Sequence, residues 1–186
     1  MKRIFQEVYL GRKFSRHYGL PRIFYHGSGK YLNERLLIPP AILKALHPGL
    51  RMGIASGRPR FEAELALKRF RLHRFFESVV TLDECEEEEA RLFRLKGRRV
   101  KCTKPHPYTL MRAIREIGLR DPLCAYVGDV VDDMRTARAA GKKTPTIAVG
   151  FLTGPLKQKG IEESLVKAGA DLLVKDPEDL LHLPGV

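Results

Sequence analysis

The sequence has 186 residues, enough for one domain with an apolar core and a small appendage, but too few for two full domains. No apolar run approaches the roughly 18 residues that a membrane span needs. The opening residues MKRIFQEVYLGRK carry charges where a signal peptide has its apolar stretch. We therefore expect a cytoplasmic protein with no membrane partner.

The charge is strongly positive, with 34 Lys and Arg against 22 Asp and Glu and a net charge of +12. Such a charge can steer nucleic acid, an acidic protein or an anionic substrate to the surface. The basic residues are scattered, the acidic run 86–89 interrupts them, and no nucleic-acid-binding signature is present. A solvated surface is therefore favoured over a nucleic-acid-binding module. Homo-oligomerisation stays open.

Two further features of the composition bear on source and redox state. Only three residues carry side-chain amides, Gln6, Asn33 and Gln158. This scarcity of Asn and Gln suggests a thermophilic source. The three cysteines form no C-x-x-C pair, so neither a disulfide framework nor a zinc site is predicted.

From about residue 50 onward, short apolar runs alternate with amphipathic ones, as in βαβ units with a parallel sheet. The predicted strands are 50–55, 79–82, 123–127, 146–149 and 171–174. The predicted helices are 60–70, 108–117, 132–140 and 161–168, with a last helical turn after Pro177. The charged stretch 86–99 is interpreted as an excursion between elements. The fold class predicted is α/β, a three-layer α/β/α Rossmann-like parallel sheet.

Residues 1–48 are interrupted by Gly11, Gly19-Leu20-Pro21, Gly27-Ser28-Gly29 and Pro39-Pro40. This pattern suits a small helical segment better than a layer of the sheet. The predicted organisation is a helical segment 1–48 followed by a core domain 49–186.

Ligands of open parallel sheets bind beyond the carboxyl ends of the strands. After strand 50–55 comes Ser56-Gly57-Arg58-Pro59: a hydroxyl, a flexible glycine and the amides of a helix start, which suit a phosphate oxygen. An ordinary N-cap and turn explains the same residues equally well.

Lys104 lies in Lys104-Pro105-His106-Pro107, where two prolines fix the backbone ahead of a helix. A lysine held in a set direction can neutralise a phosphoryl group and the carboxylate that attacks it. A capping turn with a solvated lysine is the alternative.

After strand 123–127 the chain reads Gly128-Asp129-Val130-Val131-Asp132-Asp133. Asp129 and Asp133, one helical turn apart, can converge on one hard cation. Asp132 points about 100° away and can cap the helix. Three clustered carboxylates repel one another unless a metal or a lysine offsets their charge.

Together, S-G-R-P, K-P-x-P and V-G-D-x-x-D-D resemble motifs two, three and four of the haloacid dehalogenase-like hydrolases. The branch they resemble is that of phosphoglycolate phosphatase-like enzymes, which insert a helical cap after the first strand. The resemblance runs from about residue 50 to the end and includes Gly169-Ala170-Asp171. Residues 1–48 are similar to the later half of that cap.

The resemblance implies a Mg²⁺-dependent phosphatase acting on a small phosphorylated metabolite, a phosphoglycolate-like monoester. Ser56, with Gly57 and Arg58, would bind the transferring phosphoryl group, and Lys104 would neutralise it. Asp129 and Asp133 would hold Mg²⁺, with Asp129 as the more direct ligand.

The family's first motif is absent. It supplies an aspartate nucleophile and a second aspartate two residues later, whereas the first aspartate of this chain is Asp83. Without the nucleophile no aspartyl-phosphate can form, so we expect the chain as written to be inactive. Cys102 and Ser28 are disfavoured as substitutes, because Ser28 fits neither a nucleophile elbow nor a P-loop.

The strand missing with that motif is the central one of the family's sheet, and its loss would leave two unpaired edges. We expect that the true start lies upstream; the alternative is a rearranged sheet in which residues 22–26 take the vacant place. The competing functions are a catalytically dead Mg²⁺ and phosphate-binding protein and a basic nucleic-acid-binding module.

Overall fold

The computed structural model describes residues 2–152 and 160–183. The chain divides into two compact units, with the boundary between Leu36 and Leu37. This boundary lies upstream of the predicted one at residue 48, because Ile42 and Leu46 pack in the core of the second unit.

The first unit consists of helix α1 (Lys2–Leu10), helix α2 (Arg12–Tyr18) and a 3₁₀ turn (Lys30–Asn33). Gly11 separates the two helices with φ of 53°, in the left-handed region that favours glycine. A Cβ at Gly11 would lie 2.4 Å from the backbone nitrogen of Gly29. The junction of α1 and α2 therefore requires glycine for the close approach of the 28–29 turn.

A buried glutamate organises this unit. The Glu7 side chain is fully buried, and its Oε2 accepts the backbone N–H groups of Ile23, Phe24 and Tyr25 at 2.9, 2.7 and 3.2 Å. Arg3 donates to Oε1 at 3.0 Å. Burial alone would raise the pKa of Glu7, but the hydrogen bonds, led by that of Phe24, lower it to about 2.

The second unit contains two parallel sheets. Strand β1 (Gly53–Ala55) pairs with β2 (Ser78–Val80), in the register of Gly53 with Ser78. The other sheet has the order β3 (Cys124–Gly128), β4 (Thr146–Phe151), β5 (Leu172–Val174). Parallel strands with helical crossovers confirm the predicted α/β class.

The helices of this unit are α3 (Pro40–Leu46), α4 (Arg60–Arg69), α5 (Leu82–Lys96), α6 (Tyr108–Ile117), α7 (Val131–Ala140) and α8 (Ile161–Lys167). The described residues of this unit also form two 3₁₀ turns, His73–Phe75 and Pro177–His182. The interpretation of 86–99 as an excursion was wrong, because most of that stretch belongs to α5.

Alternation along β4 builds the layers on both faces of the larger sheet. Ala148 packs with Leu110, Met134 and Leu165, on the side of α6, α7 and α8. Val149 and Phe151 point to the other face of the sheet, where they pack with residues of α3 and of the Pro177–His182 turn. Successive side chains of a strand point to opposite faces, so one six-residue strand serves two cores.

The two sheets are not hydrogen-bonded to each other in the described chain, so β1 and β3 each keep one edge without a strand partner. The alternative in which residues 22–26 fill this place was wrong. These residues form no strand, and three of their N–H groups bind Glu7. No helix in the described ranges is long and apolar enough to cross a membrane.

Candidate active site

Ser56 directly follows β1, and its backbone N–H donates to Val80 O at 2.8 Å, which extends the pairing with β2. Its Oγ accepts the Arg58 N–H at 3.1 Å, so the hydroxyl proton stays available for a ligand. Gly57 and Arg58 are exposed, and apart from the chain neighbours of Gly57 no described atom lies within 4 Å of the place where a Gly57 Cβ would be. The loop therefore leaves open space beside the Ser56 hydroxyl.

The start of α5 holds this loop in place. Leu82 N–H donates to Arg58 O at 3.0 Å, and Asp83 accepts the Arg60 N–H at 2.7 Å. The Arg60 guanidinium binds Glu84 at 2.6 Å. The Arg60 amide at the start of α4 is thus occupied by Asp83, which leaves the Ser56 hydroxyl as the clearest donor of the loop.

Lys104 reaches from the turn before α6 to the start of α7. Its Nζ lies 2.7 Å from Asp133 Oδ1 and 5.2 Å from the centroid of the Tyr126 ring. The Lys104–Pro105 peptide bond is cis. The side chain is 19% exposed, so the ammonium is held by its partners while one side still meets solvent.

Asp133 is buried, and its carboxylate is surrounded by donors. Lys104 and the Tyr126 hydroxyl approach Oδ1 at 2.7 and 3.2 Å. The N–H groups of Asp129 and Val130 approach Oδ2 at 3.2 and 3.4 Å. A Cβ at Gly128 would lie 2.3 Å from Asp133 Cβ, so only glycine allows this approach. Asp133 therefore fixes the loop that carries Asp129.

Asp129 and Asp132 have different surroundings. Asp129 is half-buried, and its carboxylate accepts no hydrogen bond from any described residue. Asp132 is exposed and pairs with Arg135 at 3.3 Å along α7. Of the three carboxylates, Asp129 is the one whose oxygens are both unpaired and partly screened from water.

These residues would supply only part of the ligand set of a Mg²⁺ ion. In the described ranges, no three His, Cys, Asp or Glu side chains lie close enough to share a cation. The Asp129 carboxylate fits a hard cation as one ligand, because no described residue pairs with its oxygens and Lys104 already offsets Asp133. The remaining ligands would be water or groups outside the described residues.

Tyr126 is a site residue that the sequence prediction missed. Its buried hydroxyl lies 3.1 Å from Ala55 O, at the end of β1, and 3.2 Å from Asp133 Oδ1. Burial and the neighbouring Asp133 raise the pKa of the phenol, so the group stays a donor. In the sequence, the only indication of this role was a hydroxyl-bearing residue within the apolar run 123–127 (LCAYV). Tyr126 links the strand before Ser56 to the Lys104–Asp133 pair.

A known family matches residues 30–141, a range that includes the loops of Ser56, Lys104 and Asp129: the haloacid dehalogenase-like hydrolases. The chain belongs to this family. Among its curated relatives, Pyrophosphatase PpaX of Bacillus pumilus is 31% identical over 74% of the chain and 53% of its own length. A phosphoglycolate phosphatase of Xylella fastidiosa is 37% identical over 45% of the chain and 33% of its own length.

Solved structures agree on the fold of this haloacid dehalogenase-like chain. A HAD phosphatase from Thermococcus onnurineus superposes with a TM-score of 0.60 at 18% identity, over 97% of this chain and 73% of that one. The chain spans about half the length of the PpaX relative, 53%. The neighbours therefore share the Rossmann-like core.

Proposed function

We propose that this haloacid dehalogenase-like chain provides the phosphoryl-receiving part of a Mg²⁺-dependent phosphatase for a small phosphomonoester. The observation that carries this proposal is the cluster at the carboxyl ends of β1 and β3. There, Lys104 binds Asp133, Asp133 fixes the Asp129 loop, and Tyr126 joins both to the strand that precedes Ser56.

Each residue has a role that follows from its surroundings. The Ser56 hydroxyl and the open Gly57-Arg58 loop would donate to phosphoryl oxygens. The Lys104 ammonium would balance the charge of the phosphoryl group. Asp129 would be the direct Mg²⁺ ligand, and Asp133, already bound by four donors, would hold the loop in place. The bound cation would neutralise charge on the phosphoryl oxygens.

The nucleophile is proposed to come from an aspartate outside these 186 residues. No aspartate precedes Asp83, and Asp83 is engaged by the Arg60 amide. The unpaired edges of β1 and β3 offer backbone partners for an additional parallel strand, whose carboxyl end would lie beside Ser56 and Asp129. A strand ending in D-x-D would supply both missing carboxylates.

The test compares the 186-residue chain with the same chain preceded by its upstream in-frame residues. The assay measures release of inorganic phosphate from p-nitrophenyl phosphate and phosphoglycolate, with Mg²⁺ and with EDTA. We expect Mg²⁺-dependent turnover only from the extended chain, provided that it contains D-x-D. An extended chain with D-x-D and no Mg²⁺-dependent turnover would overturn the proposal.

A second function is favoured by one specific observation, the absence of the nucleophile from the chain itself. If no upstream residues are encoded, the same cluster would make a catalytically dead protein that binds Mg²⁺ and phosphate. Mg²⁺-dependent phosphate binding without turnover would support this reading. Binding of nucleic acid that persists in Asp129→Asn would instead favour the basic module.

A further inference from the structure

The C-terminal end of helix α5 begins a stretch in which positive charge is concentrated. Residues 90–115 contain nine Lys or Arg and no Asp or Glu, a net charge of +9 out of +12 for the whole chain. The phosphatase proposal uses only Lys104 of this stretch. Five other side chains are exposed and form no ion pair or side-chain hydrogen bond with any described residue: Arg94, Lys96, Arg98, Arg99 and Lys101.

The chain folds back along the helix at this end of α5. Gly97 ends the helix with φ of 65°. Beyond it, the Cys102 N–H donates to Glu89 Oε1 at 2.7 Å, and Cys85 Sγ donates to Cys102 O at 3.4 Å. Because Glu89 lies two turns before Gly97, the returning chain has come back about 12 Å along the helix. Residues 93–101, which we call the α5 tip, therefore bring the five cations together at one end of α5.

Two apolar side chains are exposed within the α5 tip. Phe93 is 50% exposed and Leu95 is 67% exposed. Leu95 follows the half-buried Leu92 at the spacing of one helical face, so a face that is covered at Leu92 is open one turn later. The end of α5 thus projects beyond the residues that cover Leu92. Phe93 and Leu95 point about 160° apart, so only a surface that approaches the end of the helix can meet both.

We propose that the α5 tip binds end-on to an anionic lipid surface. The surface potential of an anionic bilayer attracts Lys and Arg, and Phe and Leu side chains enter the boundary between headgroups and acyl chains. The α5 tip presents both kinds of side chain at one projecting end. The expectation of no membrane partner rests on the absence of an apolar span, whereas binding at the interface needs no span.

The acidic residues of α5 do not oppose this orientation. Glu89 is the one nearest to the end of the helix, and it accepts the Cys102 N–H about 12 Å before that end. This separation exceeds the screening length of about 8 Å at physiological ionic strength. A bilayer that meets the end of α5 is therefore attracted by the five cations and is repelled little by the acidic run 86–89.

The shape of the α5 tip favours a bilayer over a nucleic acid. Single strands are bound in positively charged grooves in which bases stack on several aromatic rings. The α5 tip is a projecting end rather than a groove, and Phe93 is its only aromatic residue. Leu95, the more exposed of the two apolar side chains, has no function against a phosphate backbone. A bilayer makes use of both side chains, and binding of nucleic acid is the alternative outcome of the test.

Flotation of the 186-residue chain with lipid vesicles measures the proposed binding. The chain should float with vesicles of equal parts phosphatidylcholine and phosphatidylserine, and it should not float with phosphatidylcholine alone. Raising the NaCl concentration should release it, because the attraction is screened. Each cation near such a surface strengthens binding about fivefold, so Arg98→Gln/Arg99→Gln should lower the affinity about 25-fold.

Lys142→Gln/Lys143→Gln is the matched control for this experiment. Both lysines are exposed, and the double variant changes the net charge by the same amount. It should keep the vesicle affinity of the wild type. Equal losses in the two double variants would show a general effect of net charge and would overturn the proposal. A wild type that does not bind anionic vesicles would overturn it as well.

A tryptophan reporter tests the apolar part of the contact. The chain has no tryptophan, so in Leu95→Trp all tryptophan emission comes from the α5 tip. Anionic vesicles should shift that emission to the blue, and brominated lipid should quench it. Val166→Trp is the control, because Val166 is 54% exposed on α8 and its variant should show neither change.

Two results of the tryptophan experiment would contradict the proposal. One is an emission of Leu95→Trp that vesicles leave unchanged, and the other is an emission that responds to single-stranded DNA but not to vesicles. Neither the flotation nor the emission involves phosphatase activity, so this proposal and the proposed function stand or fall separately.

Discussion

At the residue scale, the site depends on one buried carboxylate that several donors share. Asp133 binds Lys104, Tyr126 and two backbone amides, while the carboxylate of Asp129 beside it has no partner among the described residues. The two aspartates look equivalent in the sequence, but the structure separates a residue that shapes the loop from one that can face a cation. Substitutions of Lys104 and Tyr126 test this division.

Lys104→Ala should weaken the binding of inorganic phosphate in the presence of Mg²⁺ by about tenfold or more, because the fixed ammonium is removed. Isothermal titration calorimetry checks this expectation. Lys101→Ala removes an exposed lysine from the same segment and should leave phosphate affinity unchanged. Equal losses in both variants would indicate a general charge effect.

Tyr126→Phe keeps the ring under Lys104 but removes the hydroxyl between Ala55 and Asp133. We expect the free energy of unfolding to fall by about 0.5–1.5 kcal/mol, the net value of one hydrogen bond. Urea denaturation measures this change. Tyr108→Phe serves as the comparison, because the Tyr108 hydroxyl accepts a hydrogen bond from Arg112. This variant should lower the free energy of unfolding by less.

At the element scale, α5 shows where sequence patterns failed. Helix α6 was predicted with its observed bounds, because Leu110, Met111 and Ile114 form an apolar stripe and Gly118 ends it. In α5 the inward side includes the buried Glu84 and the half-buried Glu88, so apolar periodicity is weak. The sequence does contain local signals for the ends of α5, the Thr81–Glu84 capping box and Gly97. Long-range contacts to Arg58 and Arg60 add to these signals, and no local pattern reveals them.

Thr81 is the N-cap residue of α5 and is fully buried. Its backbone N–H and its hydroxyl both donate to Glu84 Oε2, at 2.6 and 2.7 Å. Thr81→Ala should lower the free energy of unfolding by about 1 kcal/mol, the usual cost of a lost helix cap. Thr81→Ser keeps the hydroxyl and should lose less; a larger loss in the serine variant would contradict this role.

Glu7 links residues 23–25 to α1 through hydrogen bonds. Its lowered pKa determines whether acid stabilises or destabilises this unit. A carboxyl whose pKa is lowered to about 2 stabilises the folded unit above the unfolded pKa of 4.5. That stabilisation is lost as pH falls from 4.5 through 2. Hydrogen exchange of the Phe24 amide should therefore accelerate over this interval beyond its intrinsic pH dependence. Glu7→Gln should be less protected at pH 7 and should show a smaller pH effect.

At the scale of the whole molecule, the sequence predicted the α/β class and the approximate positions of the strands along the chain, because apolar runs alternate regularly after residue 50. It could not predict that Tyr126 reaches across to Ala55, since that contact depends on how two sheets come together. The gap between β1 and β3 agrees with the absence of the first motif. Cytoplasmic location and thermophilic origin stay predictions from composition.

The central claim is that Asp129 is the cation-binding residue of this cluster. Calorimetric titration of Mg²⁺ into the 186-residue chain, into Asp129→Asn and into Asp132→Asn tests it most directly. Asp132→Asn is the same chemical change at an exposed neighbour that pairs with Arg135. We predict that Asp129→Asn weakens Mg²⁺ binding by about tenfold or more, whereas Asp132→Asn matches the wild type. Equal Mg²⁺ affinity in all three proteins would contradict the account.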